Sequence, residues 1–154
     1  MIEEILIAIP VCAAAIAAWS GTVYWSSRVT DWRLLSAAYP DRQPPHRYTA
    51  RFRSGRVGDS PRNLLLFRYR FMFNLHAGDA GLHLAMILPM RPGHAPICIP
   101  WSALRFAGDL GGALEGIRLD GTLRVDMNNG TTAYLQLEPA TVDALGLRQR
   151  VASS

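Results

Sequence analysis

Lysine is absent from this chain of 154 residues, and all sixteen basic residues are arginine. The simplest source of that bias is genome composition. It still excludes a phosphate-binding loop of the lysine type, and Gly111-Gly112 also lacks the strand–loop–helix setting that such a loop requires. Cysteine is scarce: only Cys12 and Cys98 occur, and Cys12 sits inside an apolar stretch. Neither a disulfide framework nor a zinc-ligand spacing follows from two such residues. Acids are thin in the first half. Between Arg28 and Arg70 ten arginines face only Asp31, Asp41 and Asp59, whereas from Leu75 onward six arginines face seven acids. A basic stretch next to an apolar run suits anionic lipid headgroups. It does not suit a nucleic-acid binder, whose positive charge covers the recognition surface of its fold, so no nucleic-acid partner is expected.

Charge is missing altogether from Ile5 to Trp25, a run of 21 positions. A helix of about that length rises about 30 Å, the thickness of a bilayer's hydrocarbon. Tyr24 and Trp25 stand where an interfacial aromatic belt belongs, with Arg28 just beyond, and Pro10 is tolerated near the start of such a helix. A cleaved leader would open on a basic residue; this chain opens Met-Ile-Glu-Glu, so an uncleaved transmembrane anchor is expected over residues 1–27. Arg28 and Arg33 after the span, against Glu3 and Glu4 before it, predict a cytoplasmic carboxy-terminal domain at a bacterial inner membrane. Ala13, Ala17 and Gly21 form a small-residue stripe of the kind that lets a second helix approach, either a partner's or another copy's.

Residues 28–46 read as a juxtamembrane segment. Trp32, Leu35 and Tyr39 have helical spacing over Val29–Tyr39, Pro40 stops that helix, and Asp41–His46 is a linker. Residues 47–150 alternate as strands do. Tyr48, Ala50 and Phe52 share a face opposite Thr49, Arg51 and Arg53; Ser54–Asn63 is expected to be a loop. Phe67, Tyr69, Phe71, Phe73 and Leu75 are expected to face a core, with Arg68, Arg70, Met72, Asn74 and His76 on the other side. Ala77–Gly81 turns the chain into Leu82, Leu84, Met86 and Leu88. Pro89–Pro96 is a loop. Ile97, Ile99 and Trp101 alternate again, with Pro100 marking an edge or a bulge. Ser102–Gly112 has no clear pattern, and Leu114–Leu119 reads as a strand interrupted by Gly116. Leu123, Val125 and Met127 pair through Asn128-Asn129-Gly130 with Ala133, Leu135 and Leu137. Pro139 opens a last helix to about Gln149, followed by a frayed tail from Val151. About seven antiparallel strands closed by one helix describe a pleckstrin-homology-like (PH-like) barrel; a β-sandwich or another α+β fold is the alternative.

Three segments carry a resemblance. Asp31-Trp32-Arg33-Leu34-Leu35-Ser36-Ala37-Ala38-Tyr39-Pro40 is similar to a W-x-x-L-A-x-x-Y/F-P segment. Gly81-Leu82-His83-Leu84 is similar to G-L-x-L. His94-Ala95-Pro96-Ile97-Cys98-Ile99-Pro100-Trp101 is similar to H-P-P-L-x-I-P-W, with Ala95 in place of the first proline. In this order, over about Trp32 to Arg105, they resemble small uncharacterised proteobacterial membrane-anchored proteins. The resemblance implies an architecture and no activity.

Candidate chemistry is sparse. His76 and His83 flank the Ala77–Gly81 turn and face each other if the strands pair, with Asp79 as the one nearby further ligand; a metal would need more. His94 precedes Cys98 by four residues, but no orienting base or oxyanion site accompanies that couple. His94 and Trp101 are expected to fix the proline-rich loop against the barrel. No catalytic residue, metal or cofactor is expected. The predicted function is a non-enzymatic, membrane-tethered interaction module that meets lipid headgroups or a membrane protein through Arg51, Arg53, Arg68 and Arg70. The alternative is an accessory subunit that stabilises a larger membrane complex through its helix.

Overall fold

The structure is a computed structural model that describes residues 2–29, 31–60, 63–65, 68–110 and 121–153. Phe67, the expected Leu114–Leu119 strand and Gly111-Gly112 lie outside the described residues. Helix α1 spans Ile2–Val29, and within it Ala8–Arg28 is long and apolar enough to cross a membrane. The chain breaks at Asp31, whose φ of 57° is left-handed, a conformation that Asp tolerates better than most residues. Its carboxylate accepts the Asp59 N–H at 3.0 Å and ties the break to the sheet. Helix α2 (Trp32–Ala38) follows. The expected helix therefore begins later than Val29, as a separate element.

Seven antiparallel strands form one sheet: β1 (Ala50–Gly58), β2 (Tyr69–Ala77), β3 (Gly81–Met86), β4 (Ile97–Pro100), β5 (Leu104–Phe106), β6 (Thr122–Asp126) and β7 (Thr132–Leu137). Their order is β4-β3-β2-β1-β7-β6-β5. The two outermost strands, β4 and β5, are consecutive in the chain and meet through the 3-10 turn Trp101–Ala103, so the sheet curls into a nearly closed barrel. Strand β1 runs on to Gly58 where a loop from Ser54 was expected. It pairs with β2 through its first half and with β7 through its second, and Gly55 faces Tyr69 on one side and Leu137 on the other. A side chain at Gly55 would meet Gln136 O at 2.8 Å and the Phe73 ring, so glycine alone lets β1 bend here.

Two plugs fill the barrel. Trp32 and Leu35 of α2 are fully buried; the Trp32 ring lies 5.8 Å from Phe73 and 5.5 Å from His94. Tyr39, just after α2, donates its hydroxyl to Asp126 O at 2.6 Å, at the turn end of the β6–β7 hairpin. At the other end of that hairpin sit α3 (Pro139–Ala144) and α4 (Leu147–Ala152), which bury Val142, Leu147 and Val151. The expected single last helix is two, broken at Gly146 with φ 61°. Val151 is packed and not frayed, because an apolar residue in α4 gains more by burial than the end of the chain loses in freedom.

The largest departure from the expected pattern concerns Phe52 and Phe71. Simple alternation from buried Ala50 and Phe73 points both inward. Both instead have left-handed backbone (φ 54° and 55°) and are exposed, by 58% and 65%. The β1–β2 register slips between Ala50 and Arg53 and again between Arg53 and Gly55. These bulges turn each ring outward, while Tyr69, Phe73, Trp32 and His94 occupy the interior. Side chains of the opposite strand support the two bulges. The Phe71 N–H donates to Ser54 Oγ at 3.1 Å, and the Phe52 N–H to Asn74 Oδ1 at 3.4 Å.

Substitution should separate the buried ring from the outward one. Phe73→Ala is expected to cost about 3–5 kcal/mol, as for other fully buried aromatics. Phe71→Asn should leave stability unchanged or raise it, because Asn relieves a left-handed strain of about 1–3 kcal/mol. Chemical denaturation of the detergent-solubilised protein measures both; a large loss for Phe71→Asn would return that ring to the core.

Candidate functional site

Two surfaces deserve the name of candidate site. The first is a polar row across the outer face of β2, β3 and β4. Ladder pairing sets His76 opposite His83 and His83 opposite Cys98. The His76 and His83 rings are 5.9 Å apart, and His76 Nδ1 lies 2.6 Å from Thr49 Oγ1. As the sequence implied, the two imidazoles face each other. The sequence did not reveal their neighbour: Asp41, from the linker, places Oδ2 2.8 Å from His83 Nδ1, and its side chain is only 2% exposed. His83 Nε2 lies 3.7 Å from Cys98 Sγ.

Asp41, His83 and Cys98 thus stand in the order acid, imidazole, thiol. Burial, and then the Asp41 charge, push the Cys98 thiol above its ordinary value, which holds it protonated and a poor nucleophile. What the row does mechanically is clear. The Tyr39–Asp41 segment lies along β4, with Cys98 N–H donating to Tyr39 O and Asp41 N–H to Pro96 O, both at 3.0 Å. The Asp41–His83 contact pins that segment across the sheet. Among the described residues, no three His, Cys, Asp or Glu side chains are grouped to hold a metal ion.

His94 does not join Cys98. It is buried, with Nε2 3.2 Å from Tyr69 Oη and Nδ1 3.2 Å from Pro92 O, and its ring packs edge-on against Trp32 and Tyr69. It fixes the proline-rich loop against the barrel. Trp101 donates Nε1–H to Gly78 O at 3.0 Å and lies under the Arg150 guanidinium. The sequence offered His94 at a spacing of four from Cys98 and gave that couple no supporting group; His94 lies in the loop before β4, and only the ladder register identifies His83 as the neighbour of Cys98.

The second surface is apolar and basic. Phe52 and Phe71 project from β1 and β2, with Arg51 and Arg70 exposed beside them. Arg53 is half-buried at the register position opposite Phe73, and Arg68 pairs with Glu138 at 3.3 Å. Arg51, Arg53 and Arg70 therefore lie on β1 and β2 with Arg68 just before β2, and Arg51 and Arg70 present the freest charge. Leu88, in the 3-10 turn Leu88–Met90, is 76% exposed. This turn touches α1: Trp19 donates Nε1–H to Pro89 O at 3.1 Å, and Val23 and Ser27 of the same helix face are buried. Any side chain at Gly93 would press on Ser27 and Tyr24. The domain is thus mounted on α1 and does not hang from a free linker. Ala13, Ala17 and Gly21 are exposed on α1, about a third of a turn away from the Trp19–Val23–Ser27 face. No family model and no curated protein matches this chain.

Two outcomes follow from the buried polar groups. Asp41→Ala should cost about 2–3 kcal/mol by leaving His83 without its partner. The pH dependence should come in part from His94, whose pKa burial holds below the ordinary 6.5. Below that pH the unfolded chain takes up a proton that folded His94 refuses, so stability is lost as pH falls. Thermal melts from about pH 7.5 to about pH 5.5 should show the drop, and His94→Gln should make it smaller.

Proposed function

We propose that this protein is a non-enzymatic, membrane-tethered interaction module. In this reading α1 is an uncleaved single-pass anchor in a bacterial inner membrane, and the barrel is a PH-like domain of the membrane-anchored family that the Trp32–Arg105 segments resemble. The domain sits on the cytoplasmic side, as Arg28 and Arg33 against Glu3 and Glu4 favour. Its working surface is the face of β1 and β2 that carries Phe52 and Phe71 between Arg51 and Arg70. The observation that carries the proposal is the outward turn of the two rings. A protein that places two phenylalanines in left-handed backbone, each with its N–H met by a side chain of the opposite strand, spends stability to expose apolar surface. Arginine beside such surface matches anionic headgroups, each near-surface charge contributing about 1 kcal/mol. A membrane protein with an acidic rim is the other occupant that this face fits.

A second reading rests on a separate observation. The Ala13, Ala17 and Gly21 stripe is exposed and points away from the face that α1 uses to carry the barrel. It is free for a helix of another subunit, which would make the chain an accessory subunit of a larger membrane complex.

Hydrogen exchange on the full-length protein in lipid nanodiscs tests the first reading. Anionic lipid should slow exchange over Ala50–Gly58 and Tyr69–Ala77 relative to neutral lipid. Added salt, or Arg51→Gln with Arg70→Gln, should abolish that difference. Identical exchange in both lipids removes headgroups as the occupant. Stoichiometric subunits co-purifying in mild detergent, and lost on Gly21→Leu, would favour the second reading.

A further inference from the structure

We infer that the Leu88–Met90 turn and the Phe71 ring are seated in the bilayer itself, at the boundary between headgroups and acyl chains, so that lipid fixes the orientation of the barrel. The inference deepens the tethered-module reading and rests on its premise that α1 crosses the membrane.

Depth is the first argument. The uncharged stretch of α1 begins at Ile5, and a hydrocarbon layer of about 30 Å takes about 20 helical residues, which brings the boundary near Tyr24. Trp19 lies five residues, or about 7 Å, inside that boundary. Its indole nevertheless donates to Pro89 O, a carbonyl of the folded domain. Wherever the boundary falls along the aromatic stretch Trp19–Trp25, the turn that touches Trp19 is level with it or below it. Arg28, whose guanidinium meets Tyr24 Oη at 2.7 Å, belongs with the phosphates above.

Composition is the second argument. From Leu84 to Met90 no residue is charged or polar, and Arg91 follows at once, exposed. Leu88 exposes 76% of its surface in a turn whose other apolar member, Met90, is buried. An exposed leucine on a turn beside a membrane helix, with arginine directly behind it, has the pattern of a side chain that enters lipid while its neighbour stays with the phosphates.

Register is the third argument, and it brings in Phe71. Phe73 pairs with Met86, and the Ile87 N–H donates to Met72 O at 3.0 Å, continuing the same ladder. The ladder ends there: Leu88 enters the 3-10 turn and Phe71 takes its left-handed bulge, so both leave the ladder at the same end of the β2–β3 pair. The bulge turns the Phe71 ring out of the core at the end of the β2–β3 pair that carries the Leu88 turn, and Arg70 beside it repeats the arrangement of Arg91 beside the turn. A protein partner would have to displace lipid at the depth of Trp19 to cover these two side chains, whereas acyl chains already lie there.

Lipid-depth quenching on the full-length protein tests this. In a Cys12→Ser, Cys98→Ser background, single cysteines replace Leu88, Phe71 or Ala80, and each carries an environment-sensitive fluorophore. Ala80 is exposed in the turn at the far end of the β2–β3 hairpin. In nanodiscs whose lipids are brominated near the glycerol end of the acyl chain, the labels at 88 and 71 should lose most of their fluorescence. The label at 80 should lose none. This should hold in neutral as well as anionic discs, because the seat is apolar. Unquenched labels at 88 and 71, with protein co-eluting with the discs, overturn the inference. Equal quenching at all three positions also overturns it, since the barrel would then have no fixed seat. Failure to co-elute with discs would instead defeat the premise that α1 is an anchor. Seated labels with no response to anionic lipid would defeat headgroup binding and leave the seat standing. Leu88→Asp gives an independent readout: unchanged thermal melting in detergent, and faster hydrogen exchange over residues 87–93 in discs. Unchanged exchange there would count against the seat.

Discussion

The meeting of Trp32 with Phe73, Tyr69 and His94 is the contact on which the rest of the structure leans. These four rings are within 5.4 to 5.8 Å of their neighbours, at tilted or edge-on angles that aromatic pairs prefer. Three belong to the barrel and its loop; Trp32 belongs to the helix just after α1. By filling the interior, that one indole joins the tether to the core. It also holds His94, which orders the Pro89–Pro96 loop, which in turn receives Trp19. Tether, plug and loop therefore form a closed circuit of contacts around the start of the barrel.

The outward phenylalanines are the other side of that arrangement. Alternation would point Phe52 and Phe71 inward, and Tyr69 and Phe73 flank Phe71 in a stretch where the interior is already occupied by Trp32 and His94. Two bulges resolve the conflict at a cost of about 1–3 kcal/mol each. Ser54 and Asn74 then satisfy the amides that the bulges detach from the ladder. A polar residue at each site makes the irregular backbone tolerable, and the irregular backbone makes the surface.

Much of this was legible in the sequence, and the failures share a cause. The uncharged stretch, the antiparallel strands about Tyr69, Leu82 and Leu123, the Asn-Asn-Gly turn and the buried trio Trp32, Leu35 and Tyr39 all follow from local period and turn chemistry. Those signals are one-dimensional. The bulges at Phe52 and Phe71 are not, because whether a strand keeps its period depends on what already fills the space it faces. The partnership of Asp41 with His83 and Cys98 was invisible for a similar reason. It spans a linker and two strands, and only the ladder register states which side chains become neighbours. Gly55 gave no more than a hint: one glycine inside a strand pattern marks a bend, but not which two strands the bend will serve.

The junction of β4 and β5 bears on the proposed membrane tether. A bilayer confines identical molecules to a plane and raises their encounter rate, and an open strand edge is a template on which a second copy can add its own strand. Here the two strands that would be edges are successive pieces of one chain, turned through Trp101–Ala103. The Tyr39–Asp41 segment, pinned by His83, also covers β4 along Pro96–Cys98. The Asp41–His83 contact beneath that segment thus acts as a latch on a seam. It keeps a second copy from pairing backbone to backbone along β4.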